Sequence, residues 1–382
     1  MIETLVEIEH IEDFTEQGFY SKSYKGQDLR LNRIVAVKDI HSAAVESKES
    51  VEKYFEEAQR LSLAAHPRIL PVYFVGLDKS EGAEDHFGTP RIVTKYIKGG
   101  SLNQLLNSTF ASRKTLEIGA SIRYIHDIIQ GMIHLHSLDI LHLDLKASNI
   151  FIGDDKKLIL ADFGQSKMIN DESLVRLDNL YPSILTPEAI RKKVGDKTTD
   201  IYQFGVLLYS IFNYDIYRNE IETNYKVNTG ILNKLFNGEE DVEAEQKEEF
   251  KENMKRLTTD IKGGVFPNRD LNHYYVPKVI QEIIRKCLEP QVADRYQNFY
   301  QIQAELNKLN TTNKVQDLVQ NLDSKRIEFS KLGINCYLDV EEAGNRYNLS
   351  VFKNNRAKNA LNKDNMTRLQ LSGAIQTAIN DI

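Results

Sequence analysis

The sequence has few cysteines and no cysteine motif. Only Cys287 and Cys336 occur among its 382 residues, and their spacing fits neither a disulfide framework nor a cysteine metal site. We expect each thiol to be buried as a small hydrophobic group. The scarcity argues against a small disulfide-stapled secreted domain and favours a reducing compartment.

Long hydrophobic runs are also lacking. The most apolar stretch, residues 201–212, is well short of the ~20 residues that cross a bilayer, so it predicts a buried core helix. Residues 1–10 carry acidic side chains where a secretory signal needs a basic start and an apolar run. We therefore expect a cytoplasmic protein without a membrane segment.

The chain has no strong excess of one charge. Its 49 basic and 55 acidic residues give a net charge of −6, and the two signs are interspersed. A general electrostatic attraction to nucleic acid or to anionic lipid is therefore not expected. With 41% hydrophobic and 27% charged residues, the composition is that of a folded globular protein.

The periodicity of apolar residues divides the chain into regions. Up to residue 98, alternating patterns predict strands, and one amphipathic run at residues 47–65 predicts a helix. The last two strands of this region, residues 69–75 and 91–97, are predicted to pair as a hairpin across a polar loop. Residues 99–309 follow a mainly helical pattern.

Residues 314–382 differ in character from the region before them. A short polar stretch at residues 310–312 is predicted to be a linker. The segment beyond it is predicted to form a small α+β appendage. Its predicted elements are a helix to about residue 329, a β-hairpin of residues 336–340 and 347–352, and an amphipathic helix at residues 366–379.

A dense set of polar motifs lies near the middle of the chain. HLDLKASN occupies residues 142–149, and after an apolar run and a polar turn it is followed by ADFG at residues 161–164. Upstream, the run VAVK ends at Lys38, and Glu57 lies on the helix that follows. Carboxylate and amide oxygens suit magnesium, and lysines offset phosphate charge. In this order the motifs resemble the catalytic loop, the Asp-Phe-Gly motif and the strand lysine of the protein kinase family.

The resemblance implies a role for each polar residue of these motifs. Asp144 would orient the acceptor hydroxyl and take its proton, and Lys146 would steady the transferred phosphoryl group. Asn149 and Asp162 would hold Mg2+. The reaction implied is transfer of the γ-phosphate of ATP to a hydroxyl group.

The same resemblance implies an ATP site between two lobes. Lys38 would contact the α- and β-phosphates and would be held by Glu57. The carbonyl of Lys95 and the amide of Ile97 would meet adenine through the backbone. Gly18 is the glycine that this chain keeps from the family's glycine-rich loop.

Further motifs match structural positions of the family. TPE at residues 186–188 resembles the Ala-Pro-Glu that closes the activation segment, and Arg295 matches its buried partner. Asp200 matches the aspartate that anchors the catalytic loop. The resemblance covers roughly residues 14–309. It implies an α+β, two-lobed protein kinase fold with a small lobe at residues 1–98, a large lobe at residues 99–309, and a C-terminal regulatory or interaction module at residues 314–382.

Two departures from the family pattern affect the expected activity. The glycine-rich loop aligns with residues 16–23, where side chains replace two of the three glycines that let the backbone close over phosphates. Leu143 stands where many kinases carry an arginine that binds a phosphorylated activation loop. Without that cation, control by loop phosphorylation is less expected.

We expect a Ser/Thr protein kinase that uses ATP and Mg2+ on protein substrates, with a C-terminal module open to a partner or to self-association. Two alternatives share the fold. A catalytically weak pseudokinase would keep the cleft only as a scaffold. A small-molecule kinase of the aminoglycoside phosphotransferase kind would usually show HGDLH at residues 142–146 and would lack the paired Glu188 and Arg295.

Overall fold

A small sheet-rich lobe, a helical lobe and a C-terminal sheet follow one another along the chain. Buried apolar residues of the helical lobe and of the C-terminal sheet form one large hydrophobic cluster, and the small-lobe sheet has a separate cluster. Two further small clusters contain Leu143 and Leu70. The computed structural model describes residues 7–14, 21–40, 48–78, 89–169, 174–177, 185–227, 243–270, 273–309, 318–331 and 333–381.

The small lobe is an antiparallel sheet accompanied by one helix. Its elements are β1 (Ile8–Asp13), β2 (Ser21–Asp28), β3 (Arg33–Ile40), α1 (Lys48–Leu63), β4 (Val72–Asp78) and β5 (Thr89–Lys95), and the strand order is β1-β2-β3-β5-β4. Alternation places Val35 and Val37 of β3 in the core. The helix predicted at residues 47–65 is confirmed as α1. The hairpin predicted from residues 69–75 and 91–97 is confirmed by the antiparallel pairing of β4 with β5.

The large lobe is mainly helical, with short paired strands near its junction with the small lobe. Its helices are α2 (Leu102–Ala111), α3 (Ile118–Ser137), α4 (Pro187–Lys192), α5 (Lys197–Phe212), α6 (Tyr214–Asn219), α7 (Ala244–Gly263), α8 (Lys278–Cys287) and α9 (Phe299–Leu306). Its strands are β6 (Ile140–Leu141), β7 (Ile150–Ile152), β8 (Leu158–Leu160), β9 (Lys167–Met168), β10 (Val175–Arg176) and β11 (Val194–Gly195). Single turns of other helix types lie at Ala147–Asn149, Glu220–Asn224 and Val292–Asp294.

Helix α5 forms the centre of the large lobe. Asp196 caps it, since its carboxylate accepts the Thr198 amide at 2.7 Å and its own amide donates to the Thr199 hydroxyl at 3.0 Å. Most residues of α5 are buried, which confirms the core helix predicted at residues 201–212. Among the described helices, none combines the length and apolar character needed to cross a bilayer.

The C-terminal region is a twisted antiparallel sheet with a helix on it. Its elements are β12 (Val319–Gln320), β13 (Ile327–Lys331), β14 (Ile334–Ala343), β15 (Arg346–Lys353), β16 (Arg356–Ala357), the single turn Asn359–Leu361, β17 (Lys363–Met366) and α10 (Arg368–Asp381). The predicted hairpin is confirmed: β14 and β15 pair up to Ala343 and Arg346, and Gly344 turns the chain with a φ of 64°. The predicted helix at residues 366–379 is confirmed as α10.

The helix predicted to extend to residue 329 is wrong over its described part, which contains β12 and β13. Ile327 and Phe329 are buried on one face and pair with Leu338 and Cys336 of β14. Their spacing of two residues is the period of a strand. Lys325, just before β13, has a φ of 54°, which interrupts any regular element there. The predicted linker at residues 310–312 lies outside the described residues.

The C-terminal region docks on the large lobe through backbone and side-chain contacts. The Ile118 amide donates to the Leu318 carbonyl and the Thr115 amide donates to the Gln320 carbonyl, both at 3.0 Å. Leu318 is 1% exposed. The apolar residues of this region, including Leu318, belong to the same hydrophobic cluster as the large lobe. A shared cluster of this kind leads us to expect that the two regions unfold together.

The other end of the C-terminal region contacts Tyr274 and Tyr275 of the large lobe. The Tyr274 hydroxyl donates to Glu342 at 2.8 Å. From α10, the Ser372 hydroxyl donates to the Tyr274 carbonyl and the Gln376 amide donates to the Tyr275 carbonyl. The boundary near residue 314 stays a prediction, because the residues around it are not described.

Leu318→Ala tests whether the C-terminal region and the large lobe unfold together. We expect the substitution to cost about 2–5 kcal/mol, since it leaves a cavity between the two. Thermal unfolding should remain a single transition with a lower midpoint. The matched control is Leu369→Ala, because Leu369 is 76% exposed and its loss should leave the midpoint nearly unchanged. A separate early transition, with the main one unmoved, would show an independently folding module.

Candidate functional site

A buried carboxylate holds the loop between β6 and β7. Asp200, in the first turn of α5, accepts the backbone amides of His142 at 3.0 Å and Leu143 at 2.8 Å. The ring of His136, at the end of α3, donates to the same carboxylate at 2.8 Å. Leu143 thereby adopts a φ of 61°, which non-glycine residues rarely adopt. The predicted anchor, Asp200, therefore lies in the position that the sequence indicated.

Gln203 holds the next part of the same loop. Its side-chain amide donates to the Leu143 carbonyl at 3.0 Å, and its side-chain oxygen accepts the Leu145 amide at 3.1 Å. Sequence analysis missed this residue. The signal was a polar side chain inside the apolar run at residues 201–212, because a buried amide needs a hydrogen-bond partner.

Asp144 lies within this loop and is 5% exposed. Its Oδ2 accepts the Asn149 side-chain amide at 2.7 Å and lies 2.9 Å from the Lys146 ammonium. Its Oδ1 is buried and has no hydrogen-bond partner among the described residues. A buried carboxylate oxygen without a partner is costly unless a ligand satisfies it. This oxygen therefore keeps an acceptor site that no described residue occupies.

Asp162 connects the loop to the small lobe. The Lys38 ammonium, on β3, lies 3.0 Å from its Oδ1, and Asp162 itself has a φ of 58°. Desolvation opposes its ionisation, but the ammonium groups of Lys38 and Lys146 outweigh it and lower the pKa of Asp162 to about 2. The carboxylate is thus charged at neutral pH and still 44% exposed to the cleft.

The polar residues present fit a magnesium nucleotide. Asn149 uses its amide nitrogen on Asp144, which leaves its carbonyl oxygen to a 3.5 Å contact with the Ser148 hydroxyl. An amide oxygen together with the ionised Asp162 is a hard oxygen donor set of the kind that Mg2+ prefers. The nearby lysines supply positive charge for phosphates.

The structure brings together the polar residues that the sequence predicted, where it describes them. Lys95 ends β5 and donates its amide to the Pro71 carbonyl at 3.1 Å, and Ile97 is buried two residues later. The backbone of Glu57 lies in α1, but its side chain lies outside the described residues. Gly18 also lies outside them. The roles of these residues stay predictions.

The segment that follows Asp162 ends at a buried ion pair. Arg295 donates to both carboxylate oxygens of Glu188, at 2.7 and 3.1 Å, and to the carbonyls of Thr198 and Glu289. Burial opposes ionisation of Glu188, but Arg295 and the Thr199 hydroxyl lower its pKa. The two positions paired from the sequence are therefore in contact.

The family model described as "Protein kinase domain" matches residues 14–306. A protein named as a probable serine/threonine-protein kinase from Clostridium acetobutylicum is 26% identical over 83% of this chain and 42% of its own length. Serine/threonine-protein kinase PknD of Protochlamydia amoebophila is 25% identical over 74% of this chain and 28% of its own. PknL of Mycobacterium tuberculosis is 28% identical over 51% of this chain and 46% of its own, so each match spans under half of the relative.

The matched range contains the loop that Asp200 anchors, the Lys38–Asp162 pair and the Glu188–Arg295 pair. Sequence match and site geometry therefore point to the same assignment, and the chain belongs to the protein kinase family.

Proposed function

We propose that this chain transfers the γ-phosphate of ATP to a serine or threonine hydroxyl of a protein substrate. The observation that carries the proposal is the Asp144 carboxylate, which is buried and paired on one oxygen, while its other oxygen has no hydrogen-bond partner in the part of the chain that the structure describes. The relatives named as serine/threonine-protein kinases support the same reaction and the same class of acceptor.

Asp144 acts on the acceptor side of the reaction. Its unpaired Oδ1 accepts a hydrogen bond from the substrate hydroxyl, orients that oxygen for in-line attack and takes its proton as the new bond forms. Lys146, 2.9 Å from the other oxygen, offsets negative charge that gathers beside the transferred group. The side-chain amide of Asn149 donates to the Asp144 carboxylate at 2.7 Å and to the Asp144 backbone carbonyl at 3.0 Å, and so fixes this residue.

The other polar residues act on the nucleotide side. Asp162 and Asn149 would hold magnesium, which neutralises phosphate charge when it is bound. Lys38 binds the phosphates, with Glu57 as its proposed support from α1. The backbone of Lys95 and Ile97 holds adenine. Gly18 is the proposed point of closest backbone approach to the phosphates.

The state of the two cysteines supports a cytoplasmic setting for the chain. Cys287 and Cys336 are both buried and unpaired with each other, and burial raises the pKa of each thiol, which favours a reducing, cytoplasmic setting.

Residues 314–382 would serve as a regulatory or interaction module, open to a partner or to self-association. The exposed cations of its outer edge, Arg356 and Lys358, are candidate contacts.

Asp144→Asn is expected to reduce phosphoryl transfer by about 10²–10⁴-fold, because it removes the proton acceptor. Nucleotide binding should stay near the wild-type level, since the carboxylate does not hold ATP. Transfer of label from γ-labelled ATP to the protein itself and to a general protein substrate measures the first effect. A fluorescent ATP analogue measures the second.

Asp154→Asn is the matched control for that experiment, because Asp154 is exposed in the turn between β7 and β8. Labelling of Asp144→Asn at the wild-type rate would show that the catalytic assignment is wrong. Absence of labelling in the wild-type protein, with nucleotide still bound, would instead support the pseudokinase alternative. Label found on a small molecule and not on protein would support the small-molecule alternative.

Asp162→Asn is expected to weaken magnesium-dependent nucleotide binding at neutral pH, since it removes a charged ligand. The pKa of Asp162 is lowered from 3.8 to about 2, so its ionised form stabilises the folded chain above about pH 4 and that contribution is lost as the pH falls toward 2. Asp162 should therefore stay ionised between pH 5 and 8. The pH dependence of magnesium-dependent binding in that range should have the same shape in the wild type and in Asp162→Asn. A binding midpoint in that range that disappears in the variant would contradict the assignment.

Phosphatase treatment is expected to change activity by only a few-fold. Leu143 is buried in an apolar cluster with Leu141, Val175, Leu177 and Ala189, so residues 174–177 pack against the catalytic loop, and the Leu143 side chain offers no cation to a phosphate. Activity of the treated and untreated protein on the same substrate makes the comparison. Near-complete loss after dephosphorylation, restored by incubation with ATP, would refute this expectation.

A further inference from the structure

We propose that Arg60 and Ser166 form a positioning contact that ties helix α1 to the turn directly after Asp162 and so holds the Asp162 carboxylate in its metal-binding place. The inference rests on the function proposed above. It adds two residues that lie outside the motifs assigned to chemistry, one on each side of the cleft between the lobes.

The contact between Arg60 and Ser166 is a direct hydrogen bond. Arg60 Nε, on α1, donates to Ser166 Oγ at 2.6 Å. The Ser166 hydroxyl in turn donates to the Phe163 carbonyl at 2.6 Å, and the Ser166 amide donates to the same carbonyl at 2.9 Å. The hydroxyl is thus donor and acceptor at once, and it links a small-lobe helix to the four-residue turn from Phe163 to Ser166.

Burial makes the Arg60–Ser166 hydrogen bond stronger than the ion pair of Arg60 with Glu56. Ser166 is 3% exposed, and the Arg60 side chain is 12% exposed. Arg60 also lies 3.2 Å from Glu56 one turn earlier on α1, but the Glu56 side chain is 57% exposed. A charge-assisted hydrogen bond to a buried hydroxyl outweighs an exposed ion pair along one helix. The main partner of Arg60 is therefore Ser166.

The turn needs support because its neighbour is held in an unfavourable conformation. Asp162 has a φ of 58°, which costs free energy for any residue except glycine and persists only where its surroundings impose it. Phe163 fixes one side of the turn, since its ring is fully buried and lies 5.0 Å from the His142 ring. Arg60 fixes the other side. A displacement of α1 would remove the donor to Ser166 and loosen the turn next to Asp162.

The test compares Arg60→Met, Ser166→Ala and the double variant in the full chain. Two quantities are measured: magnesium-dependent binding of a fluorescent ATP analogue, and amide hydrogen exchange of residues 162–166 without nucleotide. The sequence has no tryptophan, so the analogue supplies the fluorescence signal. Arg60→Lys keeps a cation with fewer fixed donors, and Glu56→Gln removes only the exposed partner.

If the contact positions Asp162, each single variant should weaken magnesium-dependent binding by about tenfold, the effect expected for one hydrogen bond to a charged group. The double variant should be no weaker than either single one, because both remove the same interaction. Exchange of the turn should accelerate in all three variants. Arg60→Lys should fall between wild type and Arg60→Met, and Glu56→Gln should match wild type.

Two results would overturn the proposal. One is a double variant whose loss equals the product of the single losses, which would mean that the residues act independently. The other is unchanged exchange of residues 162–166 in both single variants. Failure of the wild-type protein to bind nucleotide at all would refute the proposed function, and the exchange measurement would still decide the contact.

Discussion

The position of the loop that carries Asp144 depends on one buried carboxylate, that of Asp200. The Asp200 side chain is fully buried, so water cannot solvate its carboxylate and protein donors must do so. The backbone amides of His142 and Leu143 and the ring of His136 supply those donors. Moving the loop would break these bonds and leave a charge unpaired in the core, which is more costly than the left-handed backbone of Leu143.

The polar side chains of the site are consequently held in place by contacts within the chain. With the loop fixed, Asp144 meets Lys146 and Asn149, and across the cleft Lys38 meets Asp162. Each cation is held by a carboxylate, so its position does not have to be organised when phosphate binds. Phosphoryl transfer depends mainly on charged groups that are already in position, because such groups need no reorganisation during the reaction. Within this polar cluster, Oδ1 of Asp144 is a buried oxygen without a hydrogen-bond partner among the described residues.

The sequence predicted what depends on local pattern or on a complete motif. The period of apolar residues revealed α1, α5 and the β14–β15 hairpin, and the order of motifs revealed the polar cluster. The helix predicted up to residue 329 was wrong because β13 has only 5 residues, too few for apolar spacing to separate a strand from a helix, and its pairing with β14 is what makes it a strand. The contact of Arg60 with Ser166 joins positions 106 residues apart, so only the folded chain could show it.

The segment after Asp162 is held at several separate points, and each of them depends on burial. Near its start, Ser166 is covered by Arg60; at β10, Val175 packs against Leu143; at its end, Glu188 is enclosed with Arg295. Apolar packing does not weaken with salt, and a buried ion pair is screened far less than an exposed one. None of these contacts requires an added phosphate. The described parts of this segment, residues 162–169, 174–177 and 185–188, are therefore held by packing against α1, the catalytic loop and the large lobe.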